Sequence, residues 1–299
     1  MLADHKHNEI SKENSLGVSF LLNLVTGIFQ IVGGLFSGSL SLLSDALHNL
    51  SDAMALVISL FAERLSKKEN TESKTFGYKR AEILAALFNA CMLVVVSFFL
   101  FKEAFVRFAN PYHINSSLML AIASVGLIAN LISVFLLKSH AHSSLNIKAA
   151  YLHLFSDFLS SIAIILGAIL IYVFKAYWID PALTVFIGIY VLFSGYKIIE
   201  ESINILMQNT PKNISLNSIG IEIEKFDNVK NVHHAHIWAV TEKDIHLEAH
   251  INLLKDIPVS ETCKLYGQIE KMLKERFSIY HTTLQFEVNS CEGVRLVKN

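Results

Sequence analysis

SLSLLSDALHNLSDAMALVISLF, Ser39 to Phe61, reads as a membrane-crossing helix, yet it carries Asp45, His48 and Asp52. These three recur at intervals of three and four residues, the spacing that stacks side chains on one face of a helix. Its HNLSD (48–52) has a close echo at HLFSD (153–157), again inside an apolar run. Each HxxxD therefore sets an imidazole beside a carboxylate. An ionisable side chain at the bilayer centre costs at least about 2.5–3.5 kcal/mol, so two such pairs could not face lipid. The spacing predicts that both faces point inward, toward each other.

If the two faces converge, they offer two neutral imidazoles and two carboxylates to a common point. That set carries a charge of minus two and suits a tetrahedral divalent ion, zinc above all. A bound dication cancels the charge that makes the site expensive. The alternative is that each His or Asp is a hydrogen-bonded packing residue; two matched pairs in two separate spans are hard to explain that way. Metal and protons compete for the same ligand atoms, and imidazole titrates near neutrality. Such a site is suited to exchanging protons for metal across a membrane.

Outward from these motifs, the composition agrees with a membrane setting. Of 299 residues, 53% are hydrophobic and 17% charged, against about 45–50% and about 25% in soluble domains; the mean hydropathy is +0.45. The formal charge of -1 argues against a nucleic-acid partner, which would want a clustered basic surface. Cys91, Cys263 and Cys291 are too few and too scattered for a disulfide framework. The polar start, MLADHKHNEISKEN, lacks the apolar core of a secretory signal.

Six segments reach the roughly 20 apolar residues that a span needs: about 15–37, 40–63, 80–107, 115–137, 148–173 and 178–203. Lys and Arg gather before the first span and after the second, fourth and sixth. By the positive-inside rule both termini are expected in the cytoplasm. Lys102 and Arg107 run against the bias, and their long stems are expected to snorkel to the interface. Asn23, Asn89 and Asn130 read as helix glue, and Gly33 and Gly34 as sites of close contact or bending. Ser51 and Ser156 read as residues bonding back within their own helices. Asp45 is open between a supporting role beside His48 and an interfacial one.

From about Thr210 the pattern changes to a short helix, two strands (NVKNVHHAHIWAV and DIHLEAHINLL) around a TEKD turn, a second helix and a third strand, HTTLQFEV. The expected fold is a membrane all-α six-helix transmembrane bundle followed by a small cytoplasmic α+β (α-β-β-α-β, ferredoxin-like) domain, with its helices on one face of the sheet. The domains read as a cytoplasmic tail (1–14), a six-span transport domain (15–207) and a cytoplasmic metal-binding and dimerisation domain (208–299).

GSLSLLSDALHNLSDA, SLNIKAAYLHLFSDFLSS, GYKRAEILAALFNA, HAHIWAV and TTLQFEV together resemble the cation diffusion facilitator family over nearly the whole chain. Its members are homodimeric exporters that exchange cytosolic zinc or related divalent ions for protons. The resemblance implies the same here: a homodimer in the lipid bilayer, in the inner membrane if the source is bacterial, carrying Zn2+ as substrate. It places the transport site on His48, Asp52, His153 and Asp157. The family associates histidine at the first position with zinc preference and aspartate with broader selectivity that includes cadmium. The loop SKKENTESKTFGYK has no histidine, so a metal site that some members hold there is expected to be missing. His5, His7, His140 and His142 are candidates for weak ion capture or plain solvated groups.

The C-terminal part holds His233, His234, His236, His246, His250 and His281, with Cys263. Strand alternation puts His234 and His236 on one face and His233 on the other, and it groups His246, Glu248 and His250. The resemblance implies a cytoplasmic zinc site, structural or regulatory, on His233, His250, Cys263 and Glu287, with His281 nearby. Cys263 stands where some relatives have histidine, and Gln285 where another ligand can lie. The alternative is that several of these histidines are surface groups.

Two other functions compete. A membrane metalloenzyme would need an open zinc position, but no HExxH is present and four protein ligands leave no vacancy. A membrane metal sensor would need an effector, and none is appended. A broader exporter of Cd2+, Co2+, Fe2+ or Mn2+ is the nearer alternative to a zinc exporter. The expectation is a transporter and not an enzyme.

Overall fold

The structure is a computed structural model that describes residues 2–138, 145–241, 244–289 and 296, with side chains from residue 17 onward except at 59, 63 and 145–150. The candidate ligands His5, His7, His140 and His142 lie outside the described side chains. Six long helices come first: α1 (Leu2–Ser37), α2 (Leu40–Ser66), α3 (Ala81–Ala109), α4 (Ser116–Lys138), α5 (Leu145–Phe174) and α6 (Ile179–Leu206). Then follow α7 (Leu216–Ile223), β1 (Val229–Ala239), β2 (Ile245–Leu253), α8 (Val259–Phe277) and β3 (His281–Val288). Two compact units divide the chain: Met1–Leu60 with Phe88–Ile198, and Phe61–Leu87 with Ile199–Asn299.

Among the described residues, five stretches are long and apolar enough to cross a membrane: Gly17–Ser37, Ala81–Ala109, Ser116–Lys138, Tyr151–Phe174 and Ile179–Leu206. The remaining long helix, α2, is unbroken over 27 residues, but Asp45, His48, Asn49 and Asp52 dilute its apolar character. In the first unit polarity is inverted relative to a soluble bundle. Gln30, Asp45, Asn49, Asn130, Asp157 and Asp180 are buried, while Phe36, Phe99, Phe135 and Phe186 face outward. Apolar residues outside and polar ones within are what a hydrocarbon surround selects, since lipid solvates the first and rejects the second. The inner packing centres on Leu42, Met119, Ile164, Ile171 and Ile187.

Small residues let these helices approach closely. A Cβ on Gly33 would lie 2.6–2.8 Å from side-chain carbons of Ile122 on α4, and one on Gly34 would lie 2.8–2.9 Å from Leu43. Both glycines therefore serve contact. Gly38, in the α1–α2 turn, adopts φ +74° with its Cβ position 2.7 Å from the Tyr112 ring. A side chain in left-handed backbone costs about 1–2 kcal/mol. Gly38→Ala is expected to lower the melting temperature of the detergent-solubilised protein, and an unchanged melt would mean that the turn relaxes freely.

The second unit carries a three-stranded sheet in the order β1-β2-β3. β1 and β2 pair antiparallel, whereas β2 and β3 pair parallel; a parallel pair needs a crossover, and α8 supplies it. Ile219, Ile223, Leu265, Ile269 and Leu273 of α7 and α8 pack with Val232, Ile237, Leu247 and Ile251 of the sheet. Both helices thus cover one face, as the sequence pattern predicts. Ser215 caps α7 by accepting from the Ser218 N–H, filling one of the free donors of a helix start.

Candidate metal site

α2 and α5 bring their HxxxD faces together. His48 Nε2 lies 3.5 Å from Asp52 Oδ2 and 3.6 Å from Asp157 Oδ1. His153 Nε2 lies 3.1 Å from Asp52 Oδ2 and 3.7 Å from Asp157 Oδ2. Each imidazole therefore faces one carboxylate of its own helix and one from the other. A tetrahedral zinc site with bonds of about 2.0–2.2 Å has ligand–ligand edges of roughly 3.3–3.6 Å; one ligand atom each of His48, Asp52 and His153 lies within 4.8 Å of the others, and Asp157 meets His48 through Oδ1 and His153 through Oδ2. Asp157 is 2% exposed and His48 is buried, whereas His153 and Asp52 are part-exposed, which leaves one side of the site open. Both His48 ring nitrogens and Asp157 Oδ2 are buried without a hydrogen-bond partner. Orphaned donors and acceptors of this kind are what a bound cation would satisfy.

The surroundings hold these groups in place. On α4, Asn130 donates to Ser161 Oγ (2.9 Å) and to the Asp157 carbonyl (3.3 Å). Gln30 of α1 donates to Asp45 Oδ2 (2.9 Å) and accepts from Asn49 (3.4 Å). Asp45 is thus buried among helices, which excludes an interfacial role. A Cβ on Gly126 would come within 2.6 Å of the Gln30 amide nitrogen, so α4 makes room for it. Ser51 and Ser156 correct the expectation of back-bonding: they donate across helices to Asn89 Oδ1 (3.3 Å) and to the Tyr190 hydroxyl (2.9 Å). Asn89 and Asn130 link helices as expected. Gln30, Asn49 and Tyr190 went unread in the sequence; a glutamine in an otherwise apolar α1 was the available signal.

On the sheet face that the helices leave open, a second group forms. Ligand atoms of His233, His250 and Glu287 lie within 4.8 Å of one another. His250 Nδ1 is 2.7 Å and His233 Nε2 3.5 Å from Glu287. Here strict alternation fails. A register shift between His233 and His236, with His234 at φ 49°, inserts an extra residue and resets the pleat. His233, His234 and His236 consequently share a face, with His234 4.7 Å and His233 5.5 Å, ring to ring, from His250. Gln285 donates to Glu287 (2.8 Å). Two other residues named for this site stand apart. Cys263 is exposed on α8. His281 pairs with His246, four strand residues or about 13 Å from the level of His250.

His281 instead belongs to a cluster at the sheet's other end. Its ring lies 4.2 Å from that of His246, which Trp238 and Phe76 flank at 5.5 Å each. Lys79, from the α2–α3 loop, pairs with Asp244, and Asp244 lies 3.5 Å from His246. Burial pushes the Asp244 carboxyl up, but the bonded Lys79 ammonium outweighs it and holds the group below the usual carboxylate range. Burial, then the neighbouring His281, holds His246 below the ordinary histidine value of 6.5. Both groups take up protons less readily when folded. Each stabilises the fold above its ordinary pKa and loses that contribution as pH falls through its lowered one. With Trp178→Phe leaving Trp238 as the sole tryptophan, Trp238 emission and the unfolding temperature are expected to fall together as pH drops below 6.5. A flat response to acid would contradict this.

A helical bundle with a lipid-matched exterior, an inward cluster of His and Asp side chains and a small α+β domain define an integral membrane protein with a candidate metal site. Residues 16–207 match the family "Cation efflux transmembrane domain" and residues 211–289 the family "Cation efflux protein, cytoplasmic domain". The chain belongs to the cation diffusion facilitator family, whose members carry out divalent metal cation efflux. It is 39% identical over 290 residues to the "Cadmium, cobalt and zinc/H(+)-K(+) antiporter" of Bacillus subtilis (strain 168), covering 96% of this chain and 92% of that protein. It is likewise 39% identical over 293 residues to the "Metal cation efflux system protein CzcD" of Cupriavidus metallidurans, covering 98% and 92%. The "Zinc transporter ZitB" of Pectobacterium atrosepticum is 34% identical over 294 residues, covering 98% and 91%.

Proposed function

We propose that this protein exports Zn2+ from the cytoplasm in exchange for protons, with His48, Asp52, His153 and Asp157 as the ligands of the transported ion. The observation that carries this is the ring of four N···O separations, 3.1–3.7 Å, linking α2 to α5. Zinc needs neutral imidazoles and ionised carboxylates, so loading releases protons and protonation ejects the metal. The zinc transporters among the relatives and the histidine at position 48 support zinc as the main substrate.

In this reading residues 1–14 are a cytoplasmic tail, 15–207 cross the membrane six times with both termini inside, and 208–299 bind metal and dimerise. The Lys- and Arg-rich loops after α2, α4 and α6 support that orientation. His233, His250 and Glu287 hold a regulatory zinc. Three ligands leave a tetrahedral position open, and Cys263, exposed on α8, is available to fill it from a second copy.

Purified protein in sealed vesicles is expected to move zinc when a pH difference is imposed and to stop when it is collapsed. Binding without flux would favour a sensor. Relatives named for cadmium and cobalt favour a broader exporter as the second reading, and equal flux of Zn2+, Cd2+ and Co2+ in the same vesicles would establish it.

A further inference from the structure

Asp180, at the start of α6, is fully buried and stands apart from the His/Asp site. Its carboxylate accepts four hydrogen bonds, all from the start of α2. Oδ1 takes the Ser39 hydroxyl (2.7 Å), the Ser41 hydroxyl (2.6 Å) and the Ser41 N–H (3.1 Å), and Oδ2 takes the Leu40 N–H (2.6 Å). Ser39 Oγ in turn accepts from the Leu42 N–H (3.2 Å). A helix start leaves four N–H donors unsatisfied; here three of them are met, two by a residue from a helix 140 positions along the chain. A negative group at this end also complements the helix dipole. An ordinary cap is supplied by the residue just before the helix. This one fastens two separate helices to each other.

The same turn is gripped from two more directions. Arg107 of α3 donates through Nη1 to the Gly38 carbonyl, and the Asn115 N–H donates to the Ser37 carbonyl (2.9 Å). The guanidinium does not snorkel away, as its sequence position suggested. It is paired with Glu103 and turned onto the α1–α2 turn. Ser37, Gly38 and Ser39 are thus tied to α3, to the α3–α4 connection and to α6. His48 and Asp52 lie on α2 about 12 Å and 18 Å further along, so whatever moves the start of α2 moves two of the four candidate ligands.

We propose that Asp180 is a positioning residue of transport: it clamps the start of α2 to α6, sealing the bundle end that the proposed orientation places outside. Release of metal on that side requires the clamp to open. The inference rests on the transport reading for its purpose and on the topology for its sidedness, while the clamp itself rests on the hydrogen bonds alone. In a lipid surround these groups have no water to turn to. Opening the seal therefore requires water to enter that end of the bundle and take over the hydrogen bonds that Asp180 accepts.

The test places a single reporter cysteine at Leu42, a fully buried neighbour of the clamp, in the full-length protein with Cys91, Cys263 and Cys291 replaced by serine. Labelling by a membrane-impermeant maleimide from the outside is followed in proteoliposomes, with and without an outward zinc gradient. With Asp180 present, labelling is expected to be slow at rest and to accelerate under the gradient. With Asp180→Asn it is expected to be at least tenfold faster at rest and to lose its dependence on the gradient. A cap with a purely structural role would raise labelling equally in both conditions and keep that dependence, and this result would overturn the proposal. So would resting labelling within twofold of the parent. If Asp180→Asn does not fold, Ser41→Ala removes one hydroxyl donor and should give intermediate resting labelling; parent-like behaviour there would also refute the clamp. Labelling only from the cytoplasmic side would refute the orientation. Absence of zinc flux in the parent would refute the transport reading, yet the resting contrast would still report on the clamp.

Discussion

Asp157→Asn is expected to abolish zinc flux while leaving the fold and the oligomer intact. The side chain is 2% exposed and lies 3.6 and 3.7 Å from the two imidazoles. Asparagine has nearly the same shape, and the Asn130 bond to position 157 goes to the backbone carbonyl, so the replacement keeps the helix seated. The change removes charge. A dication held by one carboxylate and two neutral imidazoles leaves a buried net charge of plus one, and an uncompensated buried charge costs about 3–5 kcal/mol. At about 1.4 kcal/mol per tenfold, zinc affinity should fall by roughly 100-fold or more. Flux in proteoliposomes, measured beside size-exclusion elution and melting temperature, decides the matter. Flux within threefold of the parent would remove Asp157 from the transport site.

The second large effect is on selectivity. His48 contributes a buried imidazole that faces both carboxylates. A single nitrogen donor suits a short bond in a small tetrahedral shell. A carboxylate binds through one or two oxygens and tolerates larger shells. His48→Asp also raises the site's charge from minus two to minus three. The cadmium-to-zinc flux ratio is expected to rise by roughly tenfold, measured with each ion alone and then in competition. An unchanged ratio would remove the basis for preferring zinc, although the four-ligand site would stand.

Other features were legible because their physics is local. Four-residue spacing puts His48 above Asp52 and His153 above Asp157 wherever the helix lies, and the cost of burying charge forces both pairs inward. The α-β-β-α-β order followed from changes in apolar period, and α8 and β3 begin and end where the pattern does. Strand alternation was equally local, but it fails wherever a bulge intervenes, which is why His233 joins the face of His234 and His236.

The sequence by itself determined that two His–Asp pairs, each on one helix face, turn inward toward each other, since helix geometry and the cost of exposing charge to lipid direct them there. Only the tertiary structure decided which polar groups support them. Ser51 bonds to Asn89, Ser156 to Tyr190, Gln30 to Asp45, and Asp180 caps α2 from 140 residues away. The sheet separates His281 and Cys263 from His250 and Glu287 in the same way. Those partners are set by which helix faces and strands pack together, a long-range outcome that the spacing within any one segment does not carry.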